Sequence, residues 1–174
     1  MIWEIDSAHS QVSFVIRVMS ITTTRGRFKA MRGRLSLDEQ HPASSWVEAE
    51  VDAASIDTHN IMRDAHLRST GFFAVKKYPI ITFQSTNVEH TDGSAYKVMG
   101  NLTLHGITKP TTFDVEYDSQ SAGLTAKATI SRADFGLGQS MMLRFAASDS
   151  ATIEIALEAV QKSVMVPEAV VKAE

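Results

Sequence analysis

The sequence predicts an all-β protein, either an antiparallel sandwich or an up-and-down barrel, with about eight strands and one short helical insertion. Three observations predict this fold class. Apolar and polar residues alternate along most of the chain, turn signals recur at regular spacing, and only residues 56–79 depart from the alternation. Alternation is typical of strands with one buried face, because successive side chains of a strand point to opposite sides of the sheet.

The bulk composition predicts one globular domain. The chain has 174 residues, of which 44% are hydrophobic and 21% charged, and a net charge of −3 gives no indication of a nucleic-acid partner. The lack of cysteine excludes disulfides, thiol catalysis and zinc–thiolate sites. No apolar run approaches the length of a bilayer span. We expect a β-barrel domain over residues 1–162 and a C-terminal tail over residues 163–174.

Each predicted strand presents one apolar row. The first long strand runs to Val18 and contributes Phe14 and Ile16. In the next strand, the row that starts at Phe28 continues one residue out of phase from Met31, which suggests a β-bulge near residues 29–30. The later rows are Val47, Ala49 and Val51; Ile81 and Phe83; Val98, Gly100, Leu102 and Leu104; Phe113, Val115 and Tyr117; Leu124, Ala126, Ala128 and Ile130; and Ile153, Ile155 and Leu157.

Residues 56–79 are predicted to contain a helix that covers one end of the sheet. Their apolar residues fall closer to a helical period than to alternation. Thr58 or Asn60 is a candidate N-cap, and Gly71 would let the chain turn out of the helix. Two adjacent aromatic residues, Phe72 and Phe73, suit a lid over an open barrel end.

The inward rows mix bulky residues with small ones, and two interpretations follow. A barrel of about eight strands is just wide enough to be filled by side chains or to hold one slender ligand. Small residues such as Gly33, Ala49, Gly100 and Ala126 favour a ligand cavity. They can equally interdigitate with large residues in a packed core. The sequence pattern leaves both interpretations open.

No motif predicts catalysis or a metal site. His59, His66 and Asp64 lack the spacing of a compact metal-binding motif. No nucleophile, base and oxyanion donor come together in the sequence. Basic residues between positions 17 and 34 alternate away from the apolar row and predict a solvated outer face, with a surface for anionic lipid as the alternative. We therefore expect no enzyme activity, no metal and no cofactor.

The chain resembles the YceI-like family over about residues 3–160. The resemblance is carried by short stretches in order: Asp6-Ser7-Ala8-His9-Ser10, Arg25-Gly26-Arg27-Phe28, Ser55-Ile56-Asp57-Thr58, Arg63-Asp64-Ala65-His66-Leu67-Arg68-Ser69, Tyr78-Pro79 before Thr82-Phe83-Gln84-Ser85-Thr86, Gly100-Asn101-Leu102-Thr103-Leu104-His105-Gly106-Ile107-Thr108-Lys109-Pro110, and Arg132-Ala133-Asp134-Phe135-Gly136. It implies a lipocalin-like barrel with an elongated apolar cavity for polyisoprenoid chains, such as those of quinones or prenyl phosphates, or for similar amphiphiles. It also implies no established catalytic activity and frequent homodimers.

Three residues depart from the family pattern. Val18 stands where a histidine is frequent, and Gly71 and Ala74 stand where aspartates flank the paired phenylalanines. The first departure removes a polar group from an inward row. The other two suggest that the lid is held differently.

Together these observations predict a non-catalytic protein that binds, transports or stores a long-chain isoprenoid or similar lipid. We expect a homodimer with transient membrane contact, no nucleic-acid partner, and Arg63 and Arg68 as head-group contacts. The first residues show no leader, which predicts a cytoplasmic location, or a periplasmic one if a leader has been removed. The predicted cavity wall is Phe14, Ile16, Val18, Phe28, Met31, Phe72, Phe73, Phe83, Leu102, Phe113 and Ile155.

Two alternatives make different structural predictions. A dimeric stress-response protein that acts through its surface would have a solid core and no cavity of ligand size. An enzyme acting on a hydrophobic substrate would bring its titratable candidates His66, Asp64 and His105 together at the cavity.

Overall fold

A computed structural model describes residues 2–18, 22–121, 123–138 and 147–161 of the chain. Side chains are described throughout these ranges except at positions 17, 18, 22, 147–150 and 158–161. Over these ranges the structure is all-β with one α-helix. The predicted tail over residues 163–174 and part of the connection after Arg132 lie outside the described residues.

Eleven strand segments form one antiparallel sheet. They are β1 (Trp3–Ile5), β2 (Gln11–Val18), β3 (Thr22–Phe28), β4 (Met31–Ser36), β5 (Trp46–Asp52), β6 (Ile56–Asp57), β7 (Ile80–Asp92), β8 (Ala95–Leu104), β9 (Ile107–Asp118), β10 (Gly123–Ser131) and β11 (Ala147–Gln161). Single-turn 3₁₀ helices cover Pro42–Ser44, Ala53–Ser55 and Ala133–Phe135.

The sheet closes on itself as a barrel. Its order is β1-β4-β5-β7-β8-β9-β10-β11-β2-β3-β6, and an additional pairing joins β1 to β11. Chain interruptions at residues 6–10, 29–30 and 53–55 split three long strands into two segments each, so the eleven segments fill eight positions around the ring. The predicted class, an antiparallel barrel of about eight strands, is confirmed.

The interruption at residues 29–30 is the predicted break in phase. The buried row passes from Phe28 to Met31, and the backbone between them leaves the ladder. The N–H of Lys29 donates to the carbonyl of Ser55 at 3.2 Å, and the N–H of Ala30 donates to Ser55 Oγ at 3.1 Å. The freed backbone groups are therefore satisfied by the neighbouring 3₁₀ turn.

The insertion between β5 and β7 is less helical than predicted. Its only α-helix, α1, covers Ile61–Arg68, and residues 69–79 form turns. Asn60 is the N-cap, with its side chain accepting from the N–H of Arg63 at 2.9 Å. The helix ends at Arg68, with Ser69 as its C-cap, before the predicted turn at Gly71, because the Ser-Thr-Gly run that follows consists of poor helix formers. Within the described residues, no helix is long and apolar enough to cross a membrane.

Antiparallel connections define the two ends of the barrel. The helix end carries the β5–β7 insertion, the β8–β9 turn and the start of the β10–β11 connection. The turn end carries the β4–β5 loop and the tight β7–β8 and β9–β10 turns. The Asp92-Gly93 dipeptide, a sequence signal for a tight hairpin, forms the β7–β8 turn: β7 ends at Asp92, and Gly93 takes the left-handed conformation with φ 52°.

Candidate ligand-binding site

An apolar cavity of about 230 Å³ occupies the interior of the barrel. One buried water needs only about 10–15 Å³, so the cavity is no packing defect. It reaches from Arg132 and Leu137 at the helix end to Trp46 and Tyr117 at the turn end. Apart from Ser36, Ser45, Thr82 and Arg132, its lining residues are aliphatic or aromatic.

The structure places ten of the predicted wall residues around this cavity. Val18 is the exception, because its side chain lies outside the described ones, although its backbone pairs with Ala147 in the ladder between β2 and β11. The binding role of the wall stays a prediction. The ten lining residues are Phe14, Ile16, Phe28, Met31, Phe72, Phe73, Phe83, Leu102, Phe113 and Ile155.

Aromatic contacts connect the wall to the lid segment, which is the insertion between β5 and β7 over residues 53–79. The ring centroids of Phe14 and Phe28 are 5.7 Å apart, and Phe73 meets Phe28 edge-on at 5.6 Å. Deeper in the barrel, Phe83 and Phe113 form a second edge-on pair at 5.1 Å. Such T-shaped pairs are favoured by the ring quadrupoles. The lid therefore seats Phe73 in the same aromatic cluster that lines the cavity.

The small inward residues have two different roles. A Cβ on Gly100 would lie 2.5 Å from Phe83 Cζ, and one on Gly33 would lie 2.8 Å from Ile5 Cδ1. These glycines thus make room for neighbouring side chains, which is the packed-core interpretation. Ala49 and Ala126 instead line the cavity. Cavity space comes from the alanines rather than from the glycines.

A hydrogen-bonded cluster beneath α1 fixes the lid segment. The buried carboxylate of Asp64 accepts from the N–H of Thr58 at 2.9 Å and from Thr58 Oγ1 at 2.5 Å. Arg63 donates to Thr58 Oγ1 and to its carbonyl at 2.9 and 2.8 Å. Arg68 donates to the carbonyls of Ala54 and Ile56, both at 2.9 Å. The N-terminal and C-terminal halves of α1 are therefore both tied to residues 54–58.

The two predicted head-group residues have partners within the protein. Neither Arg63 nor Arg68 lines the cavity. Their guanidinium groups donate to backbone carbonyls of residues 54–58, and a head-group contact by either residue stays a prediction. The sequence places both arginines on the insertion but does not determine where their side chains point.

Arg132 is the charged residue that does line the cavity, and it was missed. It is 7% exposed and lies at the helix end. A Cβ on Gly138 would come within 3.0 Å of both Arg132 Nη1 and Phe72 Cε1, which places the guanidinium beside the lid. A signal existed in the sequence, since Arg132 continues the inward parity of Leu124, Ala126 and Ile130.

The turn end of the cavity is lined by aromatic residues whose side chains carry an N–H or hydroxyl group. Trp46, Tyr96 and Tyr117 line it there. Burial raises the pKa of the Tyr96 hydroxyl further above neutrality, so this residue adds no charge to the turn end. The two ends therefore differ in charge, with a cation beside the lid and neutral aromatic residues at the other end.

The titratable residues of the enzyme alternative do not meet at the cavity. His66 is exposed and contacts the edge of Phe72 at 5.0 Å between centroids. Asp64 is bound to Thr58, and His105 Nδ1 contacts the Phe135 carbonyl at 3.0 Å. None of the three lines the cavity. Within the described part of the chain, no group of three His, Asp or Glu residues could hold a metal ion, so His59, His66 and Asp64 form no such group.

Comparison with known proteins identifies the family. A sequence model of the YceI-like domain matches residues 3–159. The chain belongs to the YceI-like family. Protein YceI of Escherichia coli O157:H7 is 33% identical over 165 residues, which cover 90% of this chain and 84% of that protein.

Solved structures share the YceI-like barrel. BcnA of Burkholderia cenocepacia matches with a TM-score of 0.82 at 26% identity, over 90% of this chain and 99% of that one. A polyisoprenoid binding domain from Saccharophagus degradans, implicated in plant cell wall breakdown, matches with a TM-score of 0.68 over 92% of this chain and 98% of that one. Its 17% identity extends the likeness to the fold alone.

One departure from the YceI-like pattern has a structural consequence. Ala74, where the family resemblance predicts aspartate, is buried and has φ 46°. The left-handed region disfavours residues with a Cβ, and aspartate tolerates it better than alanine. Gly71, the other lid departure, is exposed and has only Ser69 Oγ near its Cβ position, at 3.9 Å. The lid of this protein therefore contains a strained residue between the turns at residues 70–73 and 75–77.

Proposed function

We propose that this protein binds a long-chain isoprenoid, or a similar amphiphilic lipid, inside the barrel and transports or stores it without chemical change. The observation that supports the proposal most strongly is the continuous apolar cavity between the lid and the turn end. The polyisoprenoid binding domain of Saccharophagus degradans, which shares the fold, supports the choice of ligand class.

Apolar burial alone supplies the affinity that such a ligand needs. Each methylene removed from water contributes about 0.8 kcal/mol. The lining residues that would receive the chain include Phe14, Phe83 and Phe113, whose rings form part of the wall. An isoprenoid tail therefore needs few directional contacts to bind.

We propose that the polar end of the ligand lies at the helix end, against Arg132. A guanidinium presents five N–H donors and binds phosphate or carbonyl oxygens well. Arg132 lies beside Phe72 at this end, and the tail would extend from there toward Trp46 and Tyr117. The orientation gives the ligand one charged contact and an apolar path.

The two alternatives have less support. A packed-core protein acting through its surface predicts a solid barrel interior, and a cavity of about 230 Å³ is present there. An enzyme was predicted to gather His66, Asp64 and His105 at the cavity, and they lie elsewhere. Lipid binding is the function that the arrangement of side chains favours.

Trp46 provides a direct test, because it lines the cavity while Trp3, the second of two tryptophans, packs against the core. In a Trp3→Phe variant, emission reports on Trp46 alone. We expect a long-chain polyprenyl phosphate to shift this emission to shorter wavelength in a saturable way. A short-chain analogue with the same head group should leave it unchanged.

The matched control is Trp46→Phe, which keeps Trp3 as the reporter outside the cavity. The proposal requires that its emission does not respond to the long-chain ligand. Equal responses from the two variants, or no saturable response in the Trp3→Phe variant, would contradict binding inside the barrel.

A further inference from the structure

The two ends of the barrel carry opposite charge. At the helix end, the residues of the insertion, the β8–β9 hairpin and the start of the β10–β11 connection include the cations Arg63, Arg68, Lys76, Lys77, Lys109 and Arg132. The same segments contain only three acidic residues, Asp57, Asp64 and Asp134. Asp57 is paired with Arg27, and Asp64 is buried against Thr58.

The turn end has the reverse composition. The sequence from 37 to 45, and the hairpin turns with their flanking residues at 89–95 and 116–121, contain no lysine or arginine. They contain Asp38, Glu39, Glu89, Asp92, Glu116 and Asp118. A chain of net charge −3 is therefore polarised along the barrel axis, with its positive end at the lid.

The positive end also exposes two large apolar side chains. Ile61 is 89% exposed and Met62 is 85% exposed, at the start of α1. The third large hydrophobic residue exposed in the described part of the chain, Ile2, is only 43% exposed. Among the residues of α1, Asp64 is the one that is buried. Contiguous exposed apolar surface is the feature that marks protein or membrane interaction sites, and Ile61 and Met62 are adjacent.

We propose that the helix end docks on an anionic lipid surface, with Ile61 and Met62 entering the head-group region and the surrounding cations facing the lipid phosphates. Lys76, Lys77 and Lys109 are exposed at this end. Clustered lysines attract the negative surface potential of a membrane, and apolar side chains of this size anchor in its interface. An anionic lipid surface satisfies both features of the helix end at once.

The docked orientation places the lid and Arg132 toward the membrane and the acidic turn end away from it. Like charge keeps the turn end from binding, so one orientation is selected. The proposal goes beyond the binding function and does not depend on it, since the surface features lie outside the cavity.

Vesicle sedimentation with the ligand-free full chain tests the proposal. We expect at least about tenfold more binding to phosphatidylglycerol–phosphatidylcholine (1:1) vesicles than to pure phosphatidylcholine, with a decrease at high salt. The Lys76→Glu/Lys77→Glu double variant should lose at least about tenfold in binding to the anionic vesicles. Ile61→Ser/Met62→Ser should lose a comparable factor, because it removes the apolar anchor.

Two matched controls separate a surface from a global effect. Lys97→Glu/Lys127→Glu makes the same change in net charge on strands β8 and β10, away from the helix end. Ile2→Ser removes an exposed apolar residue near the N-terminus. Both should retain binding within about twofold of the original protein. Equal binding to both vesicle types, absence of binding, or an equal loss in the control variants would overturn the proposal.

Discussion

Asp64 accepts hydrogen bonds from both the backbone N–H and the hydroxyl of Thr58, at 2.9 and 2.5 Å. Both residues are buried, at 7% and 4% exposure. This pair joins α1 to the segment after β6, so the lid is held by buried polar contacts as well as by Phe72 and Phe73.

Replacing Asp64 should loosen the lid without unfolding the barrel. Asp64→Ala leaves buried donors of Thr58 without their acceptor, which costs about 1–3 kcal/mol. We expect faster amide hydrogen exchange in residues 61–75 and unchanged exchange in β8 and β9. Asp134→Ala, at an exposed carboxylate of the same end, is the control and should change neither region. Uniform acceleration over the whole chain in Asp64→Ala would contradict a role confined to the lid.

Two alanines on β10 should differ in how much stability the protein loses when each is replaced by phenylalanine. Ala126 lines the cavity, whereas Ala128 is 5% exposed and is packed in the core. Ala126→Phe fills empty space and should abolish lipid uptake with little loss of stability. Ala128→Phe overpacks the core and should destabilise the fold by about 1–3 kcal/mol. Urea unfolding measures both, and equal destabilisation would contradict the assigned cavity.

Arg132 should discriminate between ligand head groups. Hydrogen bonds to a charged group contribute about 1.5–3 kcal/mol, so Arg132→Gln should weaken a polyprenyl phosphate by about 10- to 100-fold. The neutral polyprenol of the same chain length should bind with unchanged affinity. Competition against a fluorescent lipid measures both affinities. Arg34→Gln, on the outer face where Arg34 pairs with Glu48, is the control and should change neither. An equal loss for phosphate and alcohol would assign Arg132 a structural role only.

The left-handed conformation of Ala74 predicts a stabilising glycine substitution. A residue with a Cβ costs about 1–2 kcal/mol in this region. Ala74→Gly, at φ 46°, should therefore raise the free energy of unfolding, or at least leave it unchanged after the loss of one buried methyl. The same substitution at Ala65, exposed within α1, should lower helix stability by about 1 kcal/mol. Thermal unfolding compares the two variants, and a drop at position 74 equal to that at 65 would contradict the assigned strain.

Stability should fall in acid partly through Asp57. Its carboxylate accepts from the N–H of His59 at 3.0 Å and from Arg27 at 3.2 Å, and these contacts lower its pKa. Because the folded pKa lies below the unfolded value of about 3.9, the stabilisation is present above that pH and is lost as the pH falls through the folded pKa. Asp57→Asn should reduce stability at neutral pH and flatten its decrease in acid, as measured by urea unfolding across pH. Glu116→Gln, at an exposed strand position, is the matched control.

The barrel wall was predictable because strand periodicity is a local property. Val98, Gly100, Leu102 and Leu104 alternate in sequence and are all buried in the structure. An inward row needs only the period of two, so the eight wall residues that lie on strands could be assigned without knowing their neighbours. The break in phase between Phe28 and Met31 was predictable for the same reason.

Features of the helix end were not predictable, because they depend on contacts between distant segments. The apolar residues Ile61 and Met62 are exposed, whereas Asp64 is buried. The aspartate can be buried because Thr58 supplies hydrogen-bond donors to its carboxylate. The direction of Arg63 likewise depends on where the carbonyl of Thr58 lies. Arg132 continues the alternation of inward-facing residues in β10, but it lies just after that strand, in a segment whose composition indicates a loop.

The most direct test of lipid carriage is native mass spectrometry of the protein purified from cells, with organic extraction of whatever it releases. Lipid binding inside the barrel predicts an apolar adduct of lipid mass that is absent from the Ala126→Phe variant. The contradicting result is a bare protein that also fails to take up added long-chain polyprenyl phosphate, which would mean that the cavity carries no such ligand.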